Sequence, residues 1–352
     1  MLGSIVVALS TNFVSFPMMV VGRLIYGLGS GTIVTVQETI LGHWFRGSSL
    51  SAVIALQIAT SRLSSFLSMG TSIPIANFFN FYGAAFWAAS IVCVLSFLVN
   101  FFYVNTLRII HKKLDSESLL RIKKKNKFTF ALLFFFPGIF WLLTTESFIL
   151  GSSWTSFLHI NTEYVKLKFG VSDEVAAWNA SFAQFLPVFL VPILGVAIDK
   201  YGYRVEYVIL SSLFFCLSIL VLGYTYVTPL LGMFIFSLSL ASGPLAMVSS
   251  IALLVPSASL GTGLGLYKSA LNVGSTIVDI LVGFLQDHSH SGPPLASDYD
   301  NVMLFYIFWS VLALFAGIAI SYLDKRHWRS LLQSDIIRRP LALQSNSEFF
   351  SR

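Results

Sequence analysis

Apolar residues run along this chain in blocks that are too long for strands. A helix rises 1.5 Å per residue, so about 20 consecutive apolar residues cross the hydrocarbon of a bilayer. Blocks of that length fall at residues 14–42, 48–76, 82–104, 129–157, 176–198, 206–226, 229–255, 261–286 and 303–323, which predicts nine crossings. Residues 1–10, MLGSIVVALS, are as apolar but half as long, and the polar Thr11 and Asn12 end them. They read as the back half of a tenth crossing.

Composition narrows the class. Of 352 residues, 56% are hydrophobic and 11% charged, with a mean hydropathy of +0.79. A soluble domain carries about 25% charged residues, so a cytosolic enzyme and a disordered chain are both excluded. Two cysteines, Cys93 and Cys216, sit inside apolar blocks and are expected to pack rather than to form a disulfide scaffold. An all-α integral membrane protein remains.

Charge sets the topology, because Lys and Arg collect in cytosolic loops. Residues 106–128 hold eight Lys or Arg against Asp115 and Glu117, and the tail from Asp324 holds six against three acids; both are assigned to the cytosol. Residues 286–302, with three aspartates and no Lys or Arg, and residues 161–176, with two lysines against three acids, are assigned to the opposite side. The net charge of +6 is thereby explained without nucleic acid. Lys123, Lys124 and Lys125 could additionally attract anionic lipid.

Six crossings follow the basic segment 106–128 and three and a half precede it. The expected organisation is a partial N-terminal bundle over 1–105, a linker over 106–128, a six-helix bundle over 129–323 and a tail over 324–352. Two equal halves would place about two and a half further helices before Met1; a ten-crossing protein is the alternative. Ser49, Leu50 and Leu56 align with Ser259, Leu260 and Leu266, a faint internal repeat that sets Arg62 against Asn272.

Residues 195–204, GVAIDKYGYR, match G-x-x-x-D-[RK]-x-G-[RK]-[RK] except at Tyr203. Gly195 permits close helix approach, Gly202 a left-handed turn, and Asp199 a cap or ion pair, with Lys200 and Arg204 beside them. This signature resembles that of the major facilitator superfamily, whose fold is two helical bundles around a central site. Residues 22–47, GRLIYGLGSGTIVTVQETILGHWFRG, residues 56–65, LQIATSRLSS, and residues 254–275, LVPSASLGTGLGLYKSALNVGS, are similar to the superfamily's lysosomal dipeptide-transporting branch. That branch carries an acid where this chain has Gly31 and a tryptophan where it has Val248. Glu38 lies two turns beyond Gly31 on the same helix face.

Charges within the crossings are the candidate site, because each costs about 2.5–3.5 kcal/mol at the bilayer centre unless it has a partner or meets water. Arg23, Arg62 and Lys268 face Glu38, Glu146 and Asp279. Arg62 lies about 14 residues into its helix, hence about 20 Å deep, and its planar fork suits a carboxylate. The alternative is a structural ion pair; the resemblance implies a substrate-binding arginine. Lys268, Asn272, Ser275 and Asp279 recur at spacings of four, three and four and share one helix face. Asn272 could bond a peptide group, Lys268 could snorkel, and Glu38 or Glu146 could hold an ammonium group or a proton. Arg23 suits packing or gating as well as contact.

Pro137, Pro187, Pro192, the Gly243–Pro244 pair and Pro256 are expected to interrupt or end helices. No phosphate-cradling glycine run, nucleophile elbow or metal-ligand spacing occurs, so no enzyme activity, cofactor or metal is expected; His288 and His290 lie in a single loop. DSESLL at 115–120 resembles an acidic dileucine sorting signal, and the sequon Asn179-Ala180-Ser181 falls inside a crossing. The resemblance implies a uniporter moving small zwitterions, dipeptides first, out of a lysosome-like compartment, with a glycosylated single-span accessory partner. The alternatives are a proton-coupled carrier of another small solute and a non-transporting receptor or scaffold.

Overall fold

A computed structural model of the chain describes residues 1–45, 49–113, 136–256, 259–289 and 295–328. The helices are α1 (Leu2–Asn12), α2 (Phe16–Phe45), α3 (Leu50–Phe78), α4 (Ala84–Lys113), α5 (Gly138–Glu146), α6 (Ser152–Phe169), α7 (Asp173–Tyr201), α8 (Arg204–Tyr224), α9 (Pro229–Leu254), α10 (Leu260–Ser289) and α11 (Asp300–Leu323). Eight stretches among the described residues are long and apolar enough to cross a membrane. The predicted crossing at 129–157 starts before the described residues resume. From Gly138 the chain is helical through α5, a π-helical turn at Ser147–Gly151 and α6. Lys123, Lys124, Lys125, the DSESLL hexamer and His290 lie outside the described residues.

Three expectations are corrected. The loop assigned to 161–176 is helix up to Phe169, and the link to α7 shrinks to residues 170–172. Gly170, at φ 63°, stops α6, the Ser172 hydroxyl accepts from Val175 N, and Lys166 pairs with Asp173 at 2.6 Å across the turn. Pro187, Pro192 and Pro244 do not break their helices either. At Pro187 the reason is visible: the ring removes a donor to Ala183 O, and the Ser237 hydroxyl of α9 bonds Phe182 O and Ala183 O, each at 2.8 Å. A neighbouring serine thus replaces the lost backbone bond. Pro137 caps α5, and Pro256 follows the end of α9. Cys93 and Cys216 are part-exposed rather than packed away, since a lipid-facing helix can leave an apolar thiol uncovered.

The described helices form two compact units: Met1–Val34 with Ser72–Phe135, and Thr35–Thr71 with Phe136–Arg352. In the smaller, the Tyr82 hydroxyl donates to Thr11 O at 2.8 Å and the Trp87 indole to Asn12 Oδ1 at 3.3 Å, tying the end of α1 to α4 and the turn before it. Arg23 is exposed and lies 5.8 Å from the centre of the Phe86 ring. In the larger, α9 is the core helix and serines join it to its neighbours. Ser211 and Ser239 each donate to the other's carbonyl at 2.8 Å, and the Trp154 indole donates to Ser239 Oγ at 2.9 Å. Such bonds hold apolar helices together where lipid leaves little hydrophobic drive between them.

Candidate functional site

Helices α3 and α7 meet at three heights within the larger unit. At one end Asp199 caps the start of α3: Oδ1 accepts from Ser51 N and Oδ2 from Ala52 N, both at 3.0 Å. First-turn N–H groups have no partner in their own helix, and the helix dipole favours an anion there. Gly195 makes the approach possible, because a Cβ on it would stand 2.5 Å from the Ala55 Cβ. Gly202 (φ 80°) and Tyr203 (φ 56°) then turn the chain into α8. Tyr203, the position that departs from the signature, thus holds a left-handed backbone. Lys200 lies 5.2 Å from the Tyr201 ring centre, and Arg204 is fully buried at the start of α8.

At mid-height Arg62 Nη1 donates to Gln184 Oε1 at 2.9 Å. Arg62 is half-buried and Gln184 buried. Among the described residues no carboxylate lies within ion-pair distance of Arg62. At the far end Trp178 covers Gly70, with Phe66 edge-on to it at 5.8 Å between ring centres.

A second seam joins the Thr35-to-Phe45 part of α2 to α10. Lys268 Nζ pairs with Glu38 Oε1 at 3.0 Å, with Glu38 only 4% and Lys268 28% exposed. Gly42 rests against Leu260, and Thr39 against Gly261. Glu38 and Lys268 are therefore brought together, and at the same end as the Asp199 cap: Glu38 is seven residues, about 10 Å, from the end of α2, and Lys268 eight residues, about 12 Å, from the start of α10.

The remaining candidates are not gathered with these. Asp279 faces His159 of α6, whose Nδ1 lies 3.2 and 3.4 Å from its two carboxylate oxygens; both side chains are part-exposed. Asn272 is exposed while Ser275 is buried, so the α10 face is not uniformly open. Glu146 is wholly buried and neither of its oxygens has a hydrogen-bond partner; the nearby Ser212 hydroxyl donates to Val208 O instead, at 3.1 Å. Sequence reasoning missed Gln184 and His159. An uncharged amide inside the lipid-length block of α7 was the available signal for the first. The second was weighed only for metal spacing, which ignores a lone carboxylate on another helix.

Membrane-length helices, a helix start capped by Asp199 and an ion pair buried between crossings define a multi-pass membrane protein, and the family comparison agrees. The Major Facilitator Superfamily model matches residues 1–157 and 147–345, and the chain belongs to that superfamily. It is similar to the lysosomal dipeptide transporter MFSD1 of Bos taurus, 24% identical over 81% of this chain and 62% of that protein, and of Homo sapiens, 24% over 81% and 63%. The Danio rerio protein of the same name is 24% identical over 92% of this chain and 70% of its own length. The chain thus spans somewhat under two thirds of the bovine and human relatives. Among solved structures, a double-tryptophan mutant of XylE aligns with 92% of this chain and 77% of its own at TM-score 0.56 and 16% identity, a likeness of fold.

Proposed function

We propose that this chain moves small zwitterionic solutes, dipeptides foremost, across a lysosome-type membrane by alternating access, as a uniporter. The carrying observation is Arg62: a guanidinium twelve residues, about 18 Å, into α3, bonded to a neutral amide and to no carboxylate among the described residues. A permanent charge at that depth is tolerated when it has work to do on an anion, and its planar fork matches a carboxylate. The names of the relatives support dipeptides as cargo and the lysosome as the membrane. Glu38 is buried against Lys268 and Glu146 is sealed, so the acid with open surface for an ammonium group is Asp279, beside His159, with Asn272 on the same helix available to a peptide group. On the charge-based topology the Asp199 cap and the Glu38–Lys268 pair lie at the cytosolic end and keep it shut; Gly195, Asp199, Lys200, Gly202 and Arg204 serve that gate.

The test is uptake of a dipeptide panel into proteoliposomes, with and without a pH gradient. Wild type should accumulate dipeptides to equilibrium and no further, and Arg62→Ala should lower uptake at least tenfold with the protein still folded. Unchanged uptake by Arg62→Ala would remove the site assignment. The His159–Asp279 pair favours one rival, a proton-coupled carrier, and concentrative uptake driven by the gradient would establish that rival instead.

A further inference from the structure

Building on the reading of Arg62 as the partner of the cargo's carboxylate, we infer that Gln184 is a specificity-determining positioning residue, which aims Arg62 while leaving its charge uncompensated, so that only solutes bearing a free carboxylate are carried. Oε1 of Gln184 accepts from Arg62 Nη1 at 2.9 Å, and the side chain is 3% exposed. An arginine offers five donors in one plane, and this bond occupies one of them. A carboxamide accepts the same bond as a carboxylate in nearly the same shape but brings no negative charge. A glutamate here would form an ion pair with Arg62 and stand where the cargo's own anion must act. The neutral acceptor fixes the plane of the fork and leaves the remaining donors and the full positive charge to an incoming carboxylate.

The backbone that carries Gln184 is held from outside α7. Ser237 of α9 bonds the carbonyls of Phe182 and Ala183, and Pro187 follows three residues after Gln184. The backbone just before the amide is therefore tied to α9 and the side chain is buried against the bundle, so Gln184 is the fixed reference against which Arg62 is set. The Nε2 donors of Gln184 can bond the same carboxylate once it arrives. The inference separates substrates by chemistry: dipeptides and other amino-acid-like zwitterions pass, whereas their C-terminal amides and esters do not.

The experiment uses the full chain in proteoliposomes and compares a dipeptide with its C-terminal amide, reading half-saturation and maximal rate for wild type, Gln184→Glu and Gln184→Leu. Wild type should favour the free acid at least tenfold. Gln184→Glu, nearly isosteric, should raise the half-saturation concentration for the acid at least tenfold with a smaller effect on maximal rate, and bring the acid-to-amide ratio close to one. Gln184→Leu keeps the arginine's charge but loses its aim; its ratio should fall severalfold while staying above one. Size-exclusion profiles of each variant report folding, and if Gln184→Glu does not fold the Gln184→Leu ratio decides. A role confined to packing would change amounts of folded protein and leave the ratio alone. If wild type carries acid and amide equally, the Arg62 reading itself fails. If wild type discriminates and both Gln184 variants discriminate equally well, the inference about Gln184 fails and the reading of Arg62 stands.

Discussion

Splitting the Glu38–Lys268 pair should loosen the seam between α2 and α10, and the two single substitutions should not be equal. Breaking a fully buried ion pair costs about 3–5 kcal/mol, chiefly because the surviving charge is stranded. Glu38 is 4% exposed and its second oxygen has no hydrogen-bond partner, whereas Lys268 is 28% exposed. Lys268→Met strands the buried carboxylate and should cost the closed seam about 3–4 kcal/mol. Glu38→Gln leaves a lysine whose flexible stem can carry its ammonium group toward water, so about 1–2 kcal/mol is expected. At 1.4 kcal/mol per decade these figures are a few hundredfold for Lys268→Met and about tenfold for Glu38→Gln in the closed-to-open ratio. The assay places a cysteine at Thr39, which packs on Gly261, and follows its reaction with a membrane-impermeant maleimide. Labelling should accelerate strongly in Lys268→Met, modestly in Glu38→Gln, and return toward the starting rate in the charge-swapped double variant Glu38→Lys with Lys268→Glu. Equal labelling in every background, or faster labelling in Glu38→Gln than in Lys268→Met, would refute the reasoning.

Asp199→Asn keeps one acceptor for the first turn of α3 but loses the charge and one of two bonds; it should weaken that contact by about 1–3 kcal/mol and speed labelling of a cysteine placed at Ala55. Ser237→Ala leaves Ala183 O, which Pro187 cannot reach with an N–H, without its donor. It should cost about 1–3 kcal/mol and lower the melting temperature followed by size-exclusion fluorescence, more than Thr60→Ala, whose exposed hydroxyl bonds Leu56 O of its own helix.

How much could be read from the order of residues depends on whether the relevant force is local. Crossing lengths follow from apolar runs against the thickness of hydrocarbon, so α2, α3 and α7 to α11 start and end within about three residues of the expected bounds, whereas α4, expected to end at 104, runs on to Lys113. The turn at Gly170 was misplaced because Lys166 and Lys168 look like loop residues, yet at a helix C-terminus a lysine is favourable: Lys168 Nζ donates to both Leu222 O and Gly223 O at the end of α8. The prolines were misread for the complementary reason. Whether a missing N–H breaks a helix depends on what stands beside it, and Ser237 is fifty residues away in sequence from Pro187. The charged candidates were visible one by one, since a charge in an apolar block stands out, but their pairing is tertiary information. Nothing in spacing says that Glu38 meets Lys268 or that Asp279 meets His159, and an uncharged Gln184 does not stand out at all.

The three contacts between α3 and α7 differ in kind, and the difference bears on the proposed cycle. One end is held by two charge-assisted bonds from Asp199, the other by Trp178 and Phe66 on a glycine, where aromatic edges add about 0.5–1.5 kcal/mol per pair beyond burial. Each end is thus held by a few kcal/mol, enough to stay closed and little enough to open on the microsecond-to-second scale of such motions. Between them stands a single bond from a charged donor to a neutral acceptor, worth about 1.5–3 kcal/mol and without the further attraction of an ion pair. On the proposed reading, Arg62 can exchange Gln184 for a cargo carboxylate, or share itself between them, with a modest net gain and without disturbing either end. A carboxylate at position 184 would make that exchange one ion pair for another and remove the gain. A far stronger cation site would hold cargo too tightly to let it go. The neutral amide sets the affinity between those limits, which is what a carrier that must bind on one side and release on the other requires.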